Sequence, residues 1–331
     1  MNKEKIIPIF YASDLNYLPY LSVSLLSLKS NANKKQNYKI YILNSGIDEL
    51  KQTPILALKE NWFDIEFINI KNKLDEVNSD LQLRDYYTVS TYYRMFIADM
   101  FIEYDKAIYL DSDTIILDDI SKLFSYKLGD NFVGAITDQV VSNNEIFKRY
   151  TSEVLGINSK YYFNAGVLLM NLKKFRENKF YKLFTDLLKK YKFVVAQDQD
   201  YLNVICKDKV KFISYSWNTM PVDDKNAMPN LIHYNLTLKP WHYKDIPYSK
   251  HFWNYAKNSY YYKDIEQELN NYTLEKIEKD KTQEANLINL AIKEINNKNN
   301  YLKQIEDRYH IFDFLFDEEE NIELEENINA I

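Results

Sequence analysis

The sequence predicts an α/β domain built on a mostly parallel sheet covered on both faces, followed by a helical extension. Three observations predict this. Short apolar runs alternate with segments of helical period over residues 6–234, the pattern of βα units that cover a parallel sheet with helices. The chain has 331 residues, more than one core needs, so a domain of roughly 200–250 residues plus an appendage is expected. Beyond Trp253 the composition shifts to charged, Asn-rich sequence.

The elements follow in order. Residues 6–11 are a short apolar run, read as the first strand. Residues 16–30 place Leu18, Leu21, Leu25 and Leu28 at helical spacing, with Pro19 tolerated in a first turn. Residues 38–43 alternate like a strand, 48–61 read as a helix and 65–70 as another β-type run. Residues 89–101 read as helical and 107–110 as a short buried strand. Strands are predicted at 132–137, 165–171, 210–214 and 231–234, and helices at 173–191 and 197–206. Residues 264–307 have a helical period, and 317–326 are acidic enough to favour disorder. The expected division is an α/β unit at 1–250, a helical extension at 251–316 and an acidic tail at 317–331.

Composition excludes several functions. Lys and Arg total 42 against 48 Asp and Glu, a net charge of −6, so no nucleic-acid partner is expected. The single cysteine, Cys206, excludes an intramolecular disulfide and a Cys-rich zinc site, and fits a reducing compartment. Residues 1–10 are too short for a signal peptide, and no run reaches the ~18 apolar residues of a membrane span. The expectation is a cytoplasmic protein, soluble or peripherally attached to a membrane. The absence of GxGxxG and Walker A sequences disfavours a dinucleotide dehydrogenase and a P-loop NTPase.

Asp111-Ser112-Asp113 follows the apolar run 107–110. Residues i and i+2 of an extended strand point to the same side, so both carboxylates can face one cation. Like charges this close repel, and a divalent metal stabilises both as ionised; oxygen ligands suit magnesium or manganese. A polar turn at a strand end fits the same residues. His233 ends the strand 231–234 and can add a nitrogen ligand, which manganese accepts more readily than magnesium. Lys239, six residues on, can meet a diphosphate as a point charge.

Tyr11 to Tyr17 link the first strand to the first helix. Asp14 and Asn16 fit hydrogen bonds to a base or ribose, with Tyr17 stacking on the base; helix capping fits Asp14 and Asn16 as well. Gly166, after Asn164 and Ala165, fits a close backbone approach or a bulge. Gln197-Asp198-Gln199-Asp200 opens a helix, where acidic residues are favoured whatever their function. Arg94 fits either a donor phosphate or an acidic partner.

Together these segments resemble glycosyltransferase family 8, and within it the bacterial galactosyl- and glucosyltransferases of lipopolysaccharide synthesis. The resemblance covers residues 5–245 and rests on the order and spacing of 11–17, 90–94, 109–113, 161–171, 197–203 and 233–242. It implies a GT-A fold, a UDP-sugar donor, a manganese ion, a saccharide or glycoconjugate acceptor and retention of anomeric configuration. By position, it places Asp111, Asp113 and His233 on the metal and Lys239 on the diphosphate. It places Tyr11, Asp14, Asn16, Tyr17 and Ser112 at the nucleotide. Arg94, Asp138, Asn164, Asp198 and Gln199 surround the donor sugar, with Gln199 nearest the reacting carbon and Asp198 and Asp138 as the other catalytic candidates, chemically better nucleophiles set farther away.

Two departures stand out. Leu236 occupies a place where the family commonly has glycine, which puts the phosphate contact of its amide in doubt. The stretch between Trp217 and His233 is short, so the acceptor side is either more open or completed by another segment. The same donor site also fits a UDP-sugar hydrolase or a non-catalytic binding partner. The aromatics of 251–262, with Lys257, fit either contact with a membrane or a helical cap packed on the catalytic unit.

Overall fold

The computed structural model describes residues 6–77, 81, 89–221 and 228–305. The acidic tail and the stretch 222–227 lie outside the described residues. Nine strands are described: β1 (Ile6–Ala12), β2 (Asn37–Asn44), β3 (Phe63–Asn69), β4 (Ala107–Leu110), β5 (Thr114–Ile116), β6 (Val133–Thr137), β7 (Phe163–Met170), β8 (Val210–Phe212) and β9 (Leu231–His233). Seven form one sheet in the order β3-β2-β1-β4-β7-β6-β8, and β5 pairs with β9 in a small second sheet. β1, β2, β3 and β4 run parallel, as do β6 and β8, whereas β7 is antiparallel to both its neighbours, β4 and β6. The sheet is thus mixed about a single reversed strand.

Strand alternation divides the core between two faces. Ile7, Ile9 and Tyr11 join Ile108 and Leu110 on one face, while Phe10 joins Ala107 and Tyr109 on the other. Both clusters are fully covered, which is why these strands read as continuous apolar runs.

The helices are α1 (Leu18–Asn31), α2 (Glu49–Leu56), α3 (Lys71–Asp75), α4 (Ile97–Met100), α5 (Ser121–Ser125), α6 (Gln139–Asn143), α7 (Glu145–Glu153), α8 (Leu172–Glu177), α9 (Phe180–Lys190), α10 (Asp198–Ile205), α11 (Ser249–Ala256), α12 (Tyr262–Asn270) and α13 (Leu274–Asn296). Three readings change. The helix expected at 173–191 is two, because the chain turns at Lys179, whose φ is 53°. The stretch 89–96 is 3-10 and becomes α-helical only over α4. The helix expected at 48–61 stops at Leu56, two residues beyond the internal Pro54.

The helices that follow β9 pack back onto the sheet domain. Phe252, Ala256 and Ile265 are buried with Tyr20, Val23, Ile232 and Trp241, and Trp241 stacks on Tyr20 at 3.7 Å. Tyr260 stays 78% exposed. Among the described residues no helix is long and apolar enough to cross a membrane.

Candidate active site

β1 and β4 are register neighbours, Tyr11 opposite Leu110, so their carboxyl ends open side by side into one cavity. Ser112 Oγ ties the two loops by donating to Ala12 O at 2.8 Å. The small β5–β9 sheet then sets Thr114 opposite His233, which carries the imidazole to Asp113 across some 120 residues of sequence. One carboxylate oxygen each of Asp111 and Asp113 and one His233 nitrogen lie within 4.8 Å of one another.

The orientation of the His233 ring can be deduced from one backbone donor. The Gly166 N–H donates to Asn164 Oδ1 at 3.0 Å, fixing that oxygen as an acceptor. Asn218 must therefore turn its amide nitrogen toward Asn164, at 2.9 Å, which leaves Asn218 Oδ1 facing His233 Nδ1 at 3.0 Å. Nδ1 then carries a proton, and the ring turns Nε2 toward Asp113 Oδ1, 3.2 Å away, and Asp111 Oδ2, 3.7 Å away, where a neutral imidazole offers its lone pair to a cation. Asp113 Oδ1 is buried and receives no hydrogen bond. Two carboxylate oxygens and an imidazole nitrogen converging in this way fit a divalent cation.

The surrounding charges hold Asp113 ionised. Burial alone would push the Asp113 carboxyl up, but Lys239 and His233 outweigh it and hold it well below the usual carboxylate range. Lys239 Nζ donates to Asp113 Oδ2 and to the Tyr234 carbonyl. Asp111 Oδ1 accepts from Tyr109 at 2.9 Å and from Arg94 at 3.0 Å. The Arg94 guanidinium lies over the Tyr109 ring at 4.3 Å and reaches Asp198 at 3.1 Å on its other side. Burial, with Asp111 nearby and against the pull of Arg94, pushes the Asp198 carboxyl up to about 7.

A second knot sits beside the trio. Gln199 Oε1 accepts from the Ala165 N–H at 3.0 Å, so Gln199 Nε2 faces outward and donates to Asp138 Oδ2, also at 3.0 Å. Asn164 Nδ2 donates to the same Asp138 oxygen at 3.1 Å. The other Asp138 oxygen caps α6 through the Val141 N–H.

The residues named from sequence divide as follows. Tyr17, Arg94, Asp111, Ser112, Asp113, Asp138, Asn164, Asp198, Gln199, His233 and Lys239 line one cavity. Asp14 caps the turn that presents Tyr17, accepting from the Asn16 and Tyr17 N–H groups. Tyr11 points elsewhere: it is fully buried beneath the sheet, its hydroxyl against Ser24 at 3.2 Å. Sequence reasoning missed Asn218, which no motif marks, and also Asp280 and Leu287 of α13, which line the same cavity.

Two non-glycine residues here carry positive φ: Gln197 at 47°, between the lining residues Ala196 and Asp198 in sequence, and Leu236 at 53°, which lines the cavity itself. The second is the position where the resemblance expects glycine. The backbone keeps the left-handed conformation although the side chain is leucine, at a cost on the order of 1–3 kcal/mol that the surrounding packing must hold.

The chain matches the glycosyl transferase family 8 domain over residues 8–245. It belongs to glycosyltransferase family 8. A Haemophilus influenzae protein carried under the provisional name of a glycosyltransferase is 34% identical over 252 residues, covering 71% of this chain and 73% of its own. The lipopolysaccharide 1,2-glucosyltransferase of Escherichia coli is 26% identical over 275 residues, 76% of this chain and 78% of its own. The structure of galactosyltransferase LgtC in complex with donor and acceptor sugar analogs superposes with a TM-score of 0.66 at 28% identity, covering 77% of this chain and 96% of LgtC. The fold of this glycosyltransferase is GT-A, a mostly parallel sheet between helices. The matched region ends before α11, so α11, α12 and α13 all lie outside it.

Proposed function

We propose that this transferase moves a hexose, galactose or glucose, from a UDP-sugar to a saccharide or glycoconjugate acceptor with retention of configuration. Asp111, Asp113 and His233 hold manganese, or magnesium in its place. The observation that carries this reading is the convergence of two carboxylate oxygens and an imidazole nitrogen beside the buried Lys239 ammonium. The ion supplies Lewis-acid stabilisation of the departing diphosphate when bound. Lys239 adds a fixed positive charge: burial works against it, yet Asp113 raises its pKa above the usual value. Tyr17 stacks on the uracil from a turn set by Asp14, with Asn16 at its rim. Arg94, Asn164, Asp198, Gln199 and Asp138 surround the sugar.

The hydrogen bonding bears on how configuration is retained. Gln199 is an amide whose oxygen already accepts two hydrogen bonds, from Ala165 N–H and Asn164 Nδ2. Asp138 accepts three from Val141, Asn164 and Gln199, and Asp198 pairs with Arg94. None is poised as a free nucleophile, which supports attack by the acceptor on the face that UDP leaves, its proton passing to a phosphate oxygen. The lipopolysaccharide transferase among the relatives supports a cell-surface glycan as acceptor. A lipid-linked acceptor brings the enzyme to the inner face of a membrane, where exposed Tyr260, close in sequence to Lys257 and Lys263, fits a peripheral contact.

Asp113→Ala is expected to abolish metal-dependent turnover of UDP-galactose and UDP-glucose in folded protein; undiminished turnover would refute the metal assignment. UDP with manganese should stabilise the wild-type enzyme by about 2.7 kcal/mol at a hundredfold excess over Kd. Unchanged melting at saturating UDP and metal would remove the donor reading. Asn218→Ala frees the His233 ring and is expected to weaken manganese binding about 10–100-fold. Paramagnetic resonance of the free ion reads this, and equal affinity in a folded variant contradicts the proton placement.

A further inference from the structure

Residues 235–243 run from β9 toward α11 and carry Lys239. Their conformation includes the left-handed Leu236 at φ 53°, a strained residue that surrounding contacts must hold. The extension holds this segment at three points. Thr237 Oγ1 donates to Glu284 of α13. Tyr243 donates its hydroxyl to Asp280 of α13 at 2.7 Å, and Tyr272 donates to the same oxygen at 2.7 Å. His242 stacks on Tyr272 at 4.0 Å and lies 3.2 Å from Glu268 of α12. The far end of α13 is anchored separately, Ala291 and Ile295 being buried in the core cluster of Phe147 and Tyr150. Asp280 at the first anchor and Leu287 between the two line the same cavity as Asp111, His233 and Lys239.

We infer that α13 completes the nucleoside-diphosphate pocket, with Asp280 and Glu284 as positioning residues that hold the 235–243 segment, and Lys239 with it, ready for the anion. The inference rests on the donor reading given above. It also makes a demand that electrostatics alone opposes. Two carboxylates near a diphosphate weaken its binding by repulsion. If charge were their only effect, deleting them would tighten UDP. If they act as latches, deleting them loosens the segment and weakens UDP, because each lost hydrogen bond frees a residue the ligand must then order.

The test is calorimetric titration of UDP in manganese into the full-length chain. Asp280→Ala combined with Glu284→Ala is expected to raise Kd about tenfold, the equivalent of about 1.4 kcal/mol. Asp280→Asn with Glu284→Gln keeps the acceptor oxygens and is expected to bind as tightly as wild type, or more tightly. Ile295→Ala, which loosens α13 only at its far anchor, should lower Tm and leave Kd unchanged. Thr237→Val removes the Glu284 contact from the other side without touching α13, and should weaken UDP to the same degree as Glu284→Ala alone. Unchanged or tighter UDP binding in the alanine variants, or in Thr237→Val should the double variant not fold, overturns the latch. Weakening by Ile295→Ala in proportion to lost stability overturns it too. Wild-type enzyme that binds no UDP in manganese fails at the earlier step, the donor reading itself.

Discussion

Gly166→Ala is expected to abolish transfer while leaving most of the fold intact. Gly166 lies beside Asp111 across the β4–β7 pair, where the Asp111 N–H donates to Gly166 O at 2.8 Å. A Cβ on Gly166 would fall 2.2 Å from His233 Cε1 and 2.6 Å from Asp111 Oδ2. Neither group can step aside. His233 is 2% exposed and bonded to Asn218, and Asp111 is held by Arg94 and Tyr109. Relief must come from moving the ligands apart, and displacement by about 1 Å costs on the order of 100-fold in rate. Overpacking costs about 1–3 kcal/mol of stability besides. Gly134→Ala is the control, because its nearest neighbour, at 3.0 Å, is the flexible tip of Leu128. Turnover of UDP-sugar and the manganese-dependent thermal shift, measured side by side, should fall together in Gly166→Ala and hold in Gly134→Ala. Normal turnover in Gly166→Ala would mean that the ligands do not need this packing.

Local pattern carried much of the site, and long-range pairing carried the rest. Asp111-Ser112-Asp113 was legible because an apolar run ends there in two acids, and β4 does end at Leu110. Helix periodicity also placed α1 and α10 within two residues at each end. Tyr11 illustrates a signal that was present but overridden by motif position. Period two puts it on the face of Ile7 and Ile9, and that face is core. Thr114–Ile116 gave no strand signal because it is three residues long, and its partner lies over a hundred residues away. Asn218 and Asp280 were invisible for the same reason: each acts on a residue brought to it by tertiary packing, through contacts that leave no spacing rule in the sequence. The 3-10 stretch at 89–96 reads as helix because Tyr92, Tyr93, Arg94, Met95 and Phe96 are all buried, so its apolar content reports packing and not period.

Arg94→Met should be the most destabilising substitution among the charged residues of the site, and its penalty should depend on pH. The guanidinium is 4% exposed and lies between Asp111 and Asp198, with its Nη1 on the Ala165 carbonyl. Removing it strands the Asp198 carboxylate, itself 4% exposed, and deprives Asp111 of a partner. Breaking a buried pair this way costs about 3–5 kcal/mol, which lowers Tm on the order of 10 °C in a chain of this size. The pH dependence follows from Asp198, raised to about 7 by burial and the neighbouring Asp111. Its unfolded value is about 3.9, so its contribution to stability is full below pH ~4 and is lost as pH rises through about 7. Arg94 is the group that opposes this rise, so the Met variant should carry the loss to higher pH. In chelator, the Tm deficit of Arg94→Met is therefore expected to be larger at pH 8 than at pH 5. Adding Asp198→Asn should recover part of the deficit at pH 8 and little at pH 5, a coupling that a double-mutant cycle isolates. An equal deficit at both pH values would show that Arg94 stabilises the fold by packing on Tyr109 alone and not by neutralising the buried carboxylates.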